Sequence, residues 1–450
     1  MMKVNTAIYL LPLLMTLYMV CFACGDLSAQ GNYEQNALLS RYDQRFAVMD
    51  SIVFLEFDDS RLTNAMGIGG VATEPVAEVE NAVQSQIDAF KGKTGLQISG
   101  QAYVRPGSGA SYDSEDPMVS YNAKFQIELE WNIFQSSLYK SANRINELRL
   151  NGELDQLEFE RQALERTVMD QRSALKKRYY AQLLYALQEH AENLTLLTET
   201  QTMLLQGGKI SSDDLLKLLT EKAEIDRQLS TIMAEKGIVP VLPCSGAGYV
   251  MVDTASLFSH ITLSNYDVRK LQARQEILEC QRKDLDYLRT TAVMPFVRFS
   301  YYNRENTSNT HNMDVGVSFK IPLSSETSRQ KKALMAEADV VAQQQRVFIE
   351  QIHDEVATVV SELSSLNENI RGEYESMCRL REYLARRTDS YENVMGEYNR
   401  INRLQEYNAF LQSWERLLSY QYERDSKLIS LQQYVLDEPV DHFFTIIKTK

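Results

Sequence analysis

Residues 119–133 read V-S-Y-N-A-K-F-Q-I-E-L-E-W-N-I. Val119, Tyr121, Ala123, Phe125, Ile127, Leu129, Trp131 and Ile133 are apolar or aromatic, and every residue between them is polar. Strict period 2 over fifteen residues predicts one long β-strand with an apolar face and a fully polar one. A strand that crosses a membrane needs about 9–11 residues and alternates lipid-facing apolar with lumen-facing polar side chains. This stretch has the length and the pattern. Any architecture for the chain must accommodate it.

The chain has 450 residues and a formal charge of −14. An acidic balance of that size argues against nucleic acid as a partner. Lys3, an apolar run over residues 7–23 and the small residues of L-S-A-Q at 27–30 predict a signal peptide over 1–30, cleaved near Ala29 or Gln30. F-A-C at 22–24 is a loose lipobox, so lipidation at Cys24 is the variant processing. Removing 1–30 takes Lys3 and Asp26 and leaves the charge at −14. Cys244, Cys280 and Cys378 remain, an odd number, which excludes a complete disulfide framework. No later window carries the apolar residues of a transmembrane helix.

Two β-hairpins stand out in an otherwise helical chain. Residues 95–134 combine an alternating stretch at 96–104, a loop rich in Gly, Ser, Asp and Pro at 105–117, and the opening strand. Residues 294–323 repeat the pattern, with Val297, Phe299 and Tyr301 on one strand and Met313, Val315, Val317, Phe319 and Ile321 on the other. Between and after them the period becomes helical. Residues 135–236 predict a helical hairpin with a seam of Leu154, Leu157, Leu164, Val168 and Leu175. Gly207-Gly208 breaks it, and Ser211 or Ser212 with Asp213 and Asp214 starts the return helix. Residues 237–293 form a connector, irregular through Pro240 and Pro243, with a helix capped by Ser264-Asn265. Residues 324–436 predict a second helical hairpin. Ile349, Ile352, Val356, Val359, Leu363, Leu366 and Ile370 step by 3 and 4, the helix running to 398. A break at Asn399-Arg400-Ile401-Asn402 then precedes the last helix, and 437–450 is a short tail. Residues 31–94 form an N-terminal segment with helices from 37 to 57 and around Val76, Val79, Val83 and Ile87.

The order hairpin, long helix, turn, helix occurs twice. G-K-I-S at 208–211 and N-R-I-N at 399–402 lie 191 residues apart, and Asn substitutes for Gly in the left-handed conformation. A duplicated unit accounts for both halves. Four strands then pose a closure problem. In hydrocarbon every backbone N–H and C=O needs a partner, and membrane barrels begin at about eight strands. One chain cannot close a barrel, so two or three copies must share one around a cyclic axis.

L-E-W-N-I-F at 129–134, V-G-V-S-F-K-I-P-L at 315–323, G-K-I-S-S-D-D-L at 208–215 and S-N-Y-D-V at 264–268 together resemble the TolC-like outer-membrane efflux proteins, over most of the mature chain. The resemblance implies a mainly α chain with a membrane β-barrel portion. Long antiparallel coiled-coil helices would form an α-barrel, and two hairpins per chain would contribute to a shared trimeric 12-stranded β-barrel. It implies a homotrimer in the outer membrane of a Gram-negative bacterium, in contact with outer-membrane lipid. Its partners would be a periplasmic adaptor (membrane fusion) protein and an inner-membrane transporter of an efflux or type I secretion system. By the same resemblance Gly207, Gly208, Lys209, Ile210, Ser211, Asn399, Arg400, Ile401 and Asn402 form the adaptor-contacting tip. Asn399 departs from the family's usual glycine, and residues 31–73 match nothing in its pattern.

Asp213 and Asp214 read either as an acidic ring favouring cations or as helix-dipole partners. Trp131, Phe134, Tyr301 and Tyr302 are candidates for an aromatic girdle at the membrane interface, Trp131 equally for packing where strand becomes helix. The histidines are scattered, with no H-E-x-x-H, no phosphate loop and no G-x-S-x-G. The sequence therefore predicts no enzyme, metal or cofactor. The alternative reading is a periplasmic coiled-coil adaptor or scaffold without a pore, its strands forming a soluble β-domain.

Overall fold

The computed structural model describes residues 27–55, 76–91, 95–104, 111–112, 120–131, 140–208, 211–235, 237–243, 248–285, 292–303, 310–320, 326–391, 397–435 and 440–448. Two helices of exceptional length dominate it: α3 (Lys140–Gln206) and α7 (Glu326–Tyr391), of 67 and 66 residues. At 1.5 Å per residue each extends about 100 Å. Such rods are stable only where an apolar stripe finds a neighbour along their length. The antiparallel partners α4 (Ser212–Met233) and α8 (Glu397–Leu431) supply it, and α8 packs against both α3 and α7.

The seams expected from the heptads are buried. Leu157, Leu164 and Val168 of α3 form one cluster with Tyr266 and Ile429. Ile352, Val356 and Leu363 of α7 join a second. The largest cluster gathers Leu187, Leu194 and Leu197 of α3, Ile370 and Met377 of α7, and Tyr407, Phe410 and Trp414 of α8. Three shorter helices brace this frame: α2 (Val76–Lys91), α5 (Thr254–Ser264) and α6 (Tyr266–Asp284). Asn265 caps α6 as expected, accepting from the amides of Asp267 at 3.0 Å and Val268 at 3.4 Å. On α3, Gly152 gives α2 its approach. A Cβ there would lie 2.3 Å from Val83 Cγ2.

A four-stranded antiparallel sheet runs β1 (Leu96–Val104), β4 (Ala123–Trp131), β6 (Ala292–Asn303), β7 (Thr310–Lys320). The two expected hairpins pair internally, Leu96 opposite Trp131 and Ala292 opposite Lys320, and join through β4 and β6. The fifteen-residue strand is not continuous. Asn122 is a bend between β3 (Ser120–Tyr121) and β4, its amide bonding to the carbonyl of Asn303 at 2.9 Å. β3 pairs instead with β2 (Ser111–Tyr112), inside the segment expected to be all loop.

Other boundaries also differ from expectation. The N-terminal helix α1 spans Leu27–Val53, starting earlier and stopping sooner. The connector and tail are not wholly irregular. β5 (Gly248–Val252) and β8 (Phe444–Lys448) pair across nearly the whole second half of the chain. α5 also lies where no helix was expected. The second inter-helix turn is not at 399–402. Those residues are helical, within the first turns of α8. α7 ends at Tyr391 rather than 398. Asn tolerates the left-handed conformation but also helix, and nothing local forces the break at that position. Residues 392–396, between the two helices, lie outside the described residues, as do Cys24, Phe134, Lys209 and Ile210.

Candidate functional site

The sheet is inside out. Cross-strand register fixes which side chains share a face, and one face collects Ile98, Leu129, Val297 and Val315 in a single row, with Ile127, Phe299 and Met313 in the next. These apolar residues are exposed: Ile98 is 73% accessible, Met313 69% and Val315 74%. The opposite face is polar and crowded. Lys124 is 9% accessible, Gln126 8% and Ser300 1%. A water-soluble protein buries the apolar face of a sheet and wets the polar one. Here the assignment is reversed on the two central strands, β4 and β6, while β1 is exposed on both faces.

The polar face is organised by its own charges. Arg298 Nε donates to Glu128 Oε2 at 3.1 Å, and its guanidinium lies over the Phe296 ring, 5.2 Å from the centroid. Phe296 in turn covers Gly316 on the neighbouring strand, where a Cβ would sit 2.6 Å from its Cζ. Lys124 Nζ lies 5.4 Å over the Tyr302 ring. Tyr302 is therefore on the polar face and cannot share a girdle with Tyr301, because successive strand residues point to opposite sides. Tyr301 lies on the apolar face, its ring 5.2 Å from that of His311. Trp131 is on that face too, 44% accessible, at the end of β4 that leads to the helices. Trp131 lies six residues along β4 from Phe125, the partner of Tyr301, about 20 Å of strand. The outer edges of β1 and β7 have no partner strand among the described residues.

At the helix tip, Gly208 has φ +68°, the left-handed conformation that ends α3. The Gly207 and Gly208 amides bond back to Met203 and Leu205. Ser211 is extended at the start of α4, and its hydroxyl donates to Asp214 at 3.1 Å. Asp213 and Asp214 occupy the first turn of α4, both exposed, where carboxylates complement the helix dipole. The second group has another role. Arg400 lies over the Tyr42 ring of α1 at 5.7 Å, and Ile401 packs against the main core. The structure does not bring the two groups into matching turns.

Several turns below that tip, α1 is fastened to both long helical pairs. Arg45, 6% exposed, meets Glu189 and Glu192 of α3 at 2.8 and 2.9 Å. Arg403 of α8, lying over the Phe46 ring at 4.4 Å, meets Asp50 at 2.5 Å. Burial pushes the Glu189 carboxyl up against the pull of Arg45. Beside this, His190 is 1% exposed, its Nδ1 2.6 Å from Glu415 Oε1. Its Nε2 is 3.3 Å from Glu221 Oε1, off hydrogen-bond alignment, so that contact is an electrostatic one. Burial alone would lower the imidazole pKa, but the two carboxylates outweigh it and raise it to about 9. Glu221 is held down to about 2, first by His190 and then by the Asn408 and Gln412 amides at 2.9 and 2.5 Å. Sequence reasoning missed both contacts. Their partners are 147 and 225 residues apart, and no local pattern links them.

Among the described residues no three His, Cys, Asp or Glu side chains converge on a metal site, and no helix is long and apolar enough to cross a membrane. No protein-family profile matches the sequence, and no curated protein matches it. Solved structures do match. The CmeC outer membrane channel of Campylobacter jejuni is similar with a TM-score of 0.52 at 10% identity, over 89% of this chain and 89% of that one. The outer-membrane channel OprN gives 0.52 at 11% identity, covering 89% and 92%. A membrane protein from Pseudomonas aeruginosa gives 0.52 at 9%, covering 87% and 90%. At such identities the likeness is one of fold.

Proposed function

We propose that this chain, whose fold is that of the TolC-like outer-membrane channels, is one subunit of a trimeric channel in the outer membrane of a Gram-negative bacterium. The observation that carries the reading is the inside-out sheet with two open edges. An apolar face that wide is stable against lipid and unstable in water. Edges with unpaired N–H and C=O groups are not tolerated in hydrocarbon. β7 of one copy adding to β1 of the next removes both problems at once, and three copies give the twelve strands of a closed barrel. The polar face then lines a water-filled lumen.

The long helices continue the wall away from the membrane, since α3 follows β4 and α7 follows β7. The chain performs no chemistry in this reading. It conducts passively what an inner-membrane transporter delivers through a periplasmic adaptor, either small toxic compounds or a secreted polypeptide, with the tip at Gly207 and Gly208 as the docking end. A poreless adaptor with a soluble β-domain is less well supported, because such a domain would turn its apolar face inward.

Extraction and conductance test the proposal. The protein from outer membranes should require detergent, run as a trimer and open ion-conducting pores in planar bilayers. A monomer that is soluble without detergent would overturn it.

A further inference from the structure

We propose that copies of this chain meet along their helices through the outward face of α7 on one copy and of α4 on the next. The antiparallel contact sets Arg386, Tyr383 and Glu375 against Asp213, Leu216 and Arg227. This rests on the channel reading and names the residues that close its helical wall. In the half near the tip, α3 contacts α4 on one side and α8 on the other, and α8 contacts α7. α4 and α7 therefore stand at the two ends of the row. Both present apolar side chains to solvent there: Leu216 is 63% accessible, Leu219 44% and Tyr383 44%. β1 and β7 are likewise the two ends of the sheet. Because α3 follows β4 and α7 follows β7, the direction that brings β7 to the next copy's β1 also brings α7 to the next copy's α4.

The duplicated unit supplies the register. A shift of about 189 residues carries the α3–α4 pair Lys176–Glu235 onto Ser365 opposite Arg424, the α7–α8 register that Glu362–Lys427 and Glu373–Arg416 share. α7 is thus the counterpart of α3, and α8 of α4. The contact of α3 with α8 inside one chain is then the template for α7 against the next copy's α4. In that template Tyr179 stacks on Tyr422 at 4.5 Å, and Asn193 Nδ2 donates to Asn408 Oδ1 at 3.4 Å. The same shift sets Glu382 of α7 level with Leu219 of α4. Tyr383 then falls beside Leu216 and Leu219 and covers the apolar patch. One turn toward the tip Arg386 faces Asp213, and two turns the other way Glu375 faces Arg227. Base, ring and acid on α7 thus meet acid, aliphatic and base on α4. Within the single chain these charges are exposed and pair along their own helices, Arg386 with Glu382 at 3.5 Å, Glu375 with Arg371 at 3.1 Å and Arg227 with Glu224 at 2.6 Å. Complementary charges at the rim fix register, and the apolar contact between them excludes water.

Disulfide trapping in outer-membrane fractions tests the register. Leu216→Cys and Tyr383→Cys are placed in one full-length chain whose Cys244, Cys280 and Cys378 are replaced by serine, and the membranes are oxidised with copper phenanthroline. A disulfide needs Cα atoms within about 7 Å, so covalent dimers and trimers should form about tenfold more than with Leu216→Cys and Gly372→Cys. That second pair is out of register by about 20 Å of helix. Arg386→Asp should lower the yield of SDS-resistant trimer about fivefold, and Asp213→Arg in the same chain should restore it. Trimers that form but link no better through the first cysteine pair than through the second overturn the register. So does a charge reversal that has no effect or that its partner fails to rescue. A wild-type protein that never forms trimers overturns the channel reading itself, a result distinct from these.

Discussion

Ile127 is the position where lipid and water make opposite demands. It sits mid-strand on β4, between Gly100 and Phe299 in register, with its side chain on the apolar face. Its neighbour Gln126 points the other way, between Gln101 and Ser300. Lysine at the bilayer midplane of a barrel costs about 2–4 kcal/mol. Three copies per barrel bring the cost of Ile127→Lys to roughly 6–12 kcal/mol per trimer. On a water-exposed sheet the same change would fall within about ±0.5 kcal/mol. Gln126→Lys places its charge on the polar face beside Glu128, which gives it a partner that the apolar face lacks. The assay is the yield of SDS-resistant trimer in outer-membrane fractions, followed by urea titration of protein refolded into vesicles. Ile127→Lys should abolish or severely reduce the trimer while Gln126→Lys assembles. Equal assembly of both variants would refute the lipid-facing assignment and the shared barrel with it.

Three further outcomes follow from the helices. His190 has a folded pKa of about 9 against 6.5 for the free side chain, so the stability it contributes is complete below pH 6.5 and lost as the pH rises through 9. Glu221, at about 2 against 4.5, contributes above pH 4.5 and loses that contribution as the pH falls through 2. The thermal midpoint of the solubilised protein should therefore drop between pH 7 and 10 in the wild type by more than in His190→Gln, and equal drops would contradict the ion pair. Gly152→Ala places a Cβ 2.3 Å from Val83 Cγ2. It should loosen α2, read as faster hydrogen exchange over residues 76–91, and Val83→Ala in the same chain should restore protection. Gly208→Ala forces an L residue to φ +68°, at a cost of about 1 kcal/mol. It should raise protease sensitivity at the tip and leave the sheet intact.

Much of this architecture was legible in the chain. The alternation of residues 123–131 identified both faces of β4, and the 3–4 spacing from Ile349 to Ile370 identified the stripe that α7 buries. Gly208 announced the end of α3 because only glycine enters the left-handed region without strain. The same logic failed at Asn399, which accepts either conformation and whose actual one is helical. Tyr302 was misassigned by being read with Tyr301 as a pair, although strand parity alone separates them. β5 and β8 escaped notice because each is only five residues long, too short for periodicity to register.

Element type and the polarity of each face are local properties. They follow from which side chains recur at period 2 or near 3.6, and a single chain displays them. That copies of the chain share one barrel was implied by four strands too few to close. Which surfaces meet is a different kind of fact. The docking of α1 through Arg45 and Asp50, and the enclosure of His190 by Glu221 and Glu415, join helices that the sequence keeps far apart. A buried charge is stable only beside its partners, and those partners are brought together by the packing of whole helices. The tertiary structure alone decided them.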